Sequence, residues 1–112
     1  MKPALVDTDI LSLFFRNNHN VASNVKQYLT QYKKITISII TYYEILSGLK
    51  YRDALKQLDS FLRFANHNII LPLTEESIII SADLYANLRK AGKPIDDIDI
   101  LIAGIALSNN LI

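Results

Sequence analysis

The sequence predicts an α/β fold: a central parallel sheet with helices packed on both of its faces. Three observations carry the prediction. Short apolar runs, largely β-branched in the second and third, recur at residues 4–6, 35–38 and 69–71. Stretches with apolar residues three and four positions apart lie between them, the period of an amphipathic helix. Strands that alternate with helices pair in parallel, and right-handed crossovers then place helices on both sides, a three-layer sandwich.

Ala4-Leu5-Val6 reads as a buried strand that stops at Asp7. Residues 9–16 form a helix presenting Ile10, Leu13 and Phe14 on one face, and residues 17–20 (Asn-Asn-His-Asn) are a turn cluster. Val21, Val25, Tyr28, Leu29 and Tyr32 mark a second helix over 21–32. After the strand at 35–38, a helix spans 41–49 and closes at Gly48 or frays near Tyr51. Leu55, Leu58, Phe61, Leu62 and Ala65 form the next amphipathic helix, and Pro72 ends the strand at 69–71. Thr74 caps a helix with Glu75 and Glu76 in its first turn, which runs to Ala91-Gly92; Lys93-Pro94 links it to the last helix. Residues 98–107 are apolar almost all round, as in a helix packed on every side. The chain stops at Asn109-Asn110-Leu111-Ile112, a turn and the first residues of another strand. The expectation is a sheet lacking its C-terminal strands, or else an unusually small one.

At 112 residues the chain is one small domain, residues 1–112. Half of its residues are hydrophobic and 21% charged, which excludes disorder. No apolar run approaches the roughly 18 residues of a membrane span, and MKPALVDTDI turns acidic too early for a signal peptide. With no cysteine, disulfide scaffolds and thiolate–zinc sites are excluded, and a reducing cytoplasm is the expected location. His19 and His67 are too few for a histidine-rich metal centre and read as loop residues. Chemistry is left to carboxylates, hydroxyls and cations. The net charge of +1 is uneven: nine basic and five acidic residues up to position 64, three and six beyond it. Such asymmetry permits an anionic partner on one face, although ordinary solvated faces give it too.

Three carboxylates bear most of the functional reading. In a parallel α/β sheet every strand ends on the same edge, where ligands bind. Asp7 ends the first strand, Glu44 opens the helix after the second, and Asp99 lies in the first turn of the last helix. Acids gathered on one edge repel unless a cation sits among them, and oxygen-only donors favour Mg²⁺ or Mn²⁺ over zinc. Each acid also has a purely structural reading. Asp7 is a plausible cap for the first helix, Thr41-Tyr42-Tyr43-Glu44 has the form of a capping box, and Asp96, Asp97 and Asp99 suit a helix N-terminus. Apolar company around all three acids favours a shared site.

The segments LVDTDI at 5–10, SIITYYEILSGL at 38–49 and GKPIDDIDILIAGIAL at 92–107 resemble PIN-domain ribonucleases, most of all the VapC toxins of type II toxin–antitoxin pairs. They match that family's opening Asp-Thr/Ser-Asn strand end, its Thr-x-x-Glu-Leu-x-x-Gly helix and its Asp-x-x-Ile-Ala-Ala helix, in order, with about 35 and 55 residues between the acids. The resemblance spans nearly the whole chain. It implies a Mg²⁺- or Mn²⁺-dependent endoribonuclease with Asp7, Glu44 and Asp99 as catalytic residues. Asp7 and Asp99 are then the direct metal ligands, Glu44 acts through water, and Thr8 orients the site. It also implies a homodimer silenced by an antitoxin whose tail enters the acidic groove. Two departures stand out: Asp9 replaces the family's usual Asn, and the chain ends before the family's fourth acidic or polar position.

Further candidates are weaker. Lys33, Lys34, Lys50, Arg52, Lys56, Arg89, Lys90 and Lys93 are possible contacts for RNA phosphates, and Tyr42 and Tyr43 for bases, while Asp83 reads as a solvent-face acid. Asp7-Thr8-Asp9 also echoes the Asp-x-Asp nucleophile of haloacid-dehalogenase-type phosphotransferases, but Leu11 stands where that family wants Gly or Thr. A third reading is a PIN-like interaction module that keeps the fold without catalysis.

Overall fold

The computed structural model describes residues 3–15 and 19–111. Its elements run α1 (Thr8–Phe15), α2 (His19–Gln31), β1 (Thr36–Ser38), α3 (Ile39–Tyr51), α4 (Leu55–Asn66), β2 (Ile69–Leu71), α5 (Glu75–Lys90) and α6 (Asp97–Ser108). β1 and β2 pair in parallel, with Thr36 opposite Ile69 and Ser38 opposite Leu71. β1 is buried along its whole length, as a central parallel strand should be.

The segment at 4–6 is shorter than its sequence suggests. It joins β1 by a single parallel bridge, Leu5 opposite Thr36, with the Val6 N–H donating to the Thr36 carbonyl at 2.9 Å. Pro3 has no N–H to give, and Ala4 turns both its backbone groups to the Tyr28 hydroxyl of α2 at 3.3 and 3.5 Å. Asp7 then starts α1, so no length remains for a ladder.

Leu11, Ile35, Ile37, Ile45, Leu49 and Phe61 form the core. Phe15 closes one side, its ring edge-on to Phe61 at 5.7 Å and to Phe64 at 5.3 Å. α1 is therefore rotated from the expected face: Leu11 is buried and Ile10 exposed, while Leu13 and Phe14 stay half-buried. Asn68 ties the end of α4 to β1, donating to the Phe64 carbonyl and accepting the Ile35 N–H at 2.9 Å.

The expected turn at 17–20 gives way to helix at His19, which belongs to α2 rather than to a loop; Asn17, Asn18 and Arg16 lie outside the described residues. α3 starts two residues before Thr41 because Ser38 is its cap. Ser38 is extended (φ −84°, ψ 158°), and its hydroxyl accepts the Thr41 N–H at 3.0 Å. The β-branched Ile39-Ile40 masks this start in the sequence.

Three helices end in the same backbone geometry. At Asp53, Asn110 and Gly92 φ is positive, and two backbone N–H groups turn back onto the preceding turn. After α3 these are Asp53 N–H to Lys50 O at 3.2 Å and Ala54 N–H to Leu49 O at 3.0 Å. Gly92 and the Asn109-Asn110 turn announce themselves by residue type; Asp53 does not.

α5 and α6 form an antiparallel-type hairpin whose contact is made of small residues. Gly104 lies against Ser77 and Ser81 so closely that a Cβ there would stand 2.0 Å from Ser81 Oγ and 2.5 Å from the Ser77 carbonyl oxygen. Ser81 donates to the Ile100 carbonyl at 3.1 Å. α6 also touches α3 and β1. It is not packed on every side: Ile100, Gly104 and Ile105 are buried, whereas Leu107 is 52% exposed. A helix apolar all round shows that burial is available, not which faces receive it.

Candidate active site

The first turn of α1 and the first two turns of α3 meet over β1. Thr8 and Glu44 are in direct contact there, with the Thr8 hydroxyl 2.6 Å from Glu44 Oε1. Thr41 Oγ1 lies 3.1 Å from Thr8 Oγ1, and the Ser38 hydroxyl is 3.3 Å from Thr41 Oγ1. A hydroxyl carries one proton. The short contact to the carboxylate takes that of Thr8, so Thr41 donates to Thr8 and Ser38 to Thr41. The result is a chain of hydroxyls from the buried end of β1 outward to a half-buried carboxylate. Ser38 and Thr41 are wholly buried, which holds the inner half of the chain in one arrangement.

The capping-box alternative for Glu44 is overturned by these distances. The Thr41 N–H is already bound by Ser38, and the Glu44 carboxylate faces Thr8. Asp7 does cap α1: its Oδ1 accepts the Ile10 N–H at 2.8 Å, and the residue remains exposed. Capping uses one carboxylate oxygen and leaves the second for another partner. Asp97 and Asp99 occupy the exposed first turn of α6, while Asp96 precedes it without a side-chain capping bond.

A cavity of about 570 Å³ opens beside Thr8 and Glu44 and runs along α3 past Gly48 to Arg52 and Gln57. Ser12, Phe15, Ile45, Leu49 and Ala54 complete its wall. Asp7 and Asp99 are not part of that wall. Among the described residues, no three of His, Cys, Asp and Glu stand together as a metal cage. The donors at hand are carboxylate and hydroxyl oxygens, which suit a hard cation in kind.

Other expectations resolve as follows. Tyr42 packs against Phe61 with ring centroids 5.6 Å apart and planes tilted by 31°, a half-buried residue against the core; Tyr43 is exposed. Of the eight cations noted above, Arg52 alone lines the cavity. Arg89 lies over the Tyr85 ring at 4.7 Å. His67 ends α4, with Nδ1 2.8 Å from the Arg63 carbonyl oxygen, and Asp83 is an exposed residue of α5. Sequence reasoning missed Ser12, Gln57 and the buried Ser38–Thr41 link. Only the last had a signal, the two hydroxyl residues three apart at a strand end.

The PIN domain profile matches residues 4–112, and the chain belongs to the PIN domain family. Within it, the likeness is to VapC proteins. Ribonuclease VapC1 of Methanocaldococcus jannaschii is 32% identical over 106 residues, covering 95% of this chain and 69% of that protein. The DNA-bound VapBC of Salmonella typhimurium superposes with a TM-score of 0.85 at 23% identity, covering 99% of this chain and 83% of the other. A toxin–antitoxin complex from Klebsiella pneumoniae does so with a TM-score of 0.74 at 23% identity, over 96% of this chain and 81% of the other.

Proposed function

We propose that the protein is a Mg²⁺- or Mn²⁺-dependent endoribonuclease, the toxin of a toxin–antitoxin pair, with Asp7, Glu44 and Asp99 as its catalytic acids. The observation that carries this reading is the Thr8–Glu44 contact at 2.6 Å, on the wall of a cavity of about 570 Å³. Family membership and a relative named as a ribonuclease support it.

The reaction is hydrolysis of an RNA phosphodiester: water adds at phosphorus and the 3′ oxygen departs. Asp7 and Asp99 are the residues that would hold a divalent ion. Such an ion, when bound, supplies positive charge that offsets the charge gathering on the phosphate oxygens. The chain's own contribution is positional. Thr8 engages one oxygen of Glu44 and leaves the other to orient water, and Thr41 and Ser38 fix Thr8 from behind. Asp7, pinned by the Ile10 N–H, keeps its carboxylate at the start of α1.

The proposal extends to partners. A cognate antitoxin is supported by the structural likeness to a toxin–antitoxin complex. The proposal also includes a second copy of the chain, as a homodimer. The proposed location is the cytoplasm.

A second reading is a PIN-like interaction module without catalysis, and the lack of a three-acid cage among the described residues favours it. One assay separates the two. Purified protein is incubated with single-stranded RNA in Mn²⁺, in EDTA and as Asp99→Asn. Cleavage confined to the unsubstituted protein in Mn²⁺ supports the nuclease. RNA left intact in every lane supports the module.

A further inference from the structure

We propose that the groove running from Glu44 along α3 is a subsite for a neighbouring phosphate of the RNA strand, and that Arg52 holds it. The inference rests on the ribonuclease reading and adds a specificity residue to it. Glu44 and Gly48 lie four residues apart on one face of α3, and Arg52, four further on, caps its C-terminus, so the ends are separated by about 12 Å along the helix axis. The cavity joins them without a break.

Gly48 makes the groove. A Cβ built there would have one neighbouring atom within 4 Å, Arg52 Nη1 at 3.7 Å, so the guanidinium folds back beside Gly48. Among the described residues Arg52 has no acidic partner within ion-pair distance; Arg63 and Asp59 are the pair found there. Between the charged ends the wall carries the apolar side chains of Phe15, Ile45, Leu49 and Ala54 together with the polar ones of Ser12 and Gln57. A nucleotide has this pattern, a flat base and sugar flanked by phosphates. The guanidinium fork matches phosphate oxygens. The carboxylate end repels uncompensated phosphate, so the two ends together set which way the strand lies. The positive-φ turn at Asp53 fixes where Arg52 leaves the helix.

A cation at a helix C-terminus also opposes the dipole, so the test reads something that role does not move. A short fluorescein-labelled single-stranded RNA is titrated against the full chain at several salt concentrations, and KM and kcat for its cleavage are measured alongside. Arg52→Gln is expected to raise Kd and KM roughly fivefold to tenfold, leave kcat within about twofold, and lower the salt slope of log Kd by about 0.7, one phosphate contact. Arg52→Lys keeps the slope. Gly48→Ala, a better helix former that places a methyl on the groove floor, also raises KM. Equal affinity and equal slope in Arg52→Gln overturn the proposal and leave the groove to a protein partner. RNA that binds in an Arg52-dependent way without being cut keeps the subsite and removes the nuclease reading. A chain that neither binds nor cuts RNA removes both.

Discussion

Gly104→Ala probes the joint on which the last helix hangs. The added methyl would meet Ser81 Oγ at 2.0 Å and the Ser77 carbonyl oxygen at 2.5 Å, both far inside van der Waals contact. Ser81 has the freedom to rotate away, but only by abandoning its hydrogen bond to the Ile100 carbonyl. Ser77 O is helix backbone, so relief there requires α5 and α6 to separate along their shared face. Overpacking of a tight core costs about 1–3 kcal/mol, and a backbone neighbour puts this site at the upper end. At roughly 4 °C per kcal/mol for a domain of this size, the melting temperature should fall by about 10–15 °C. Thermal unfolding followed by circular dichroism measures it. Adding Ser81→Ala should recover only part of the loss, because the Ser77 contact remains. A single substitution that melts within 2 °C of the parent would refute the close-packing argument.

Two further outcomes follow from named contacts. Thr8→Val keeps the side chain's shape and removes the donor to Glu44; cleavage should drop roughly tenfold to hundredfold for about 1 kcal/mol of stability, while Thr8→Ser retains most activity. Asp53→Gly relieves a positive φ of 52° and should stabilise the chain by about 0.5–1 kcal/mol, read as a higher urea midpoint with unchanged slope.

Much of this fold is legible in the residues, and the gaps have physical causes. Thr74 and Gly92 bound α5 as the sequence suggests, because a hydroxyl cap and a glycine at positive φ are both visible by type. α3 is misjudged at its start because Ser38, read as the end of the strand, is its cap, and the β-branched Ile39-Ile40 gives no helix signal. The end at Asp53 uses a residue that tolerates positive φ without advertising it, whereas Asn109-Asn110 reads as a turn and is one. The 4–6 segment looks like any other apolar triplet, since nothing local reveals that the Tyr28 hydroxyl takes up Ala4. Gly104 is one residue of an apolar run in the sequence, and its role emerges only with the serines opposite it.

The site divides in the same way. Thr8 and Glu44, which the structure brings into contact, are recoverable from motif spacing, because strand ends and helix starts share an edge in a parallel sheet. The contact between Thr8 and Glu44 depends on how α1 and α3 cross β1, which spacing does not encode. Arg52 is one cation among many in the sequence and becomes distinct only through the missing side chain at Gly48. The family match removes the phosphotransferase alternative suggested by Asp7-Thr8-Asp9.

The most direct check on the account is a kinetic cycle on Asp7 and Asp99. Asn caps helices as well as Asp does, so Asp7→Asn preserves the bond to the Ile10 N–H and isolates the charge. RNA cleavage in Mn²⁺ is measured for Asp7→Asn, Asp99→Asn and the double variant. If the acids work as one site, each single change lowers kcat by about a hundredfold or more and the double variant is no worse than either. Singles that cut RNA at the parent rate, or losses that multiply in the double variant, would contradict the claim that these residues form a common catalytic centre.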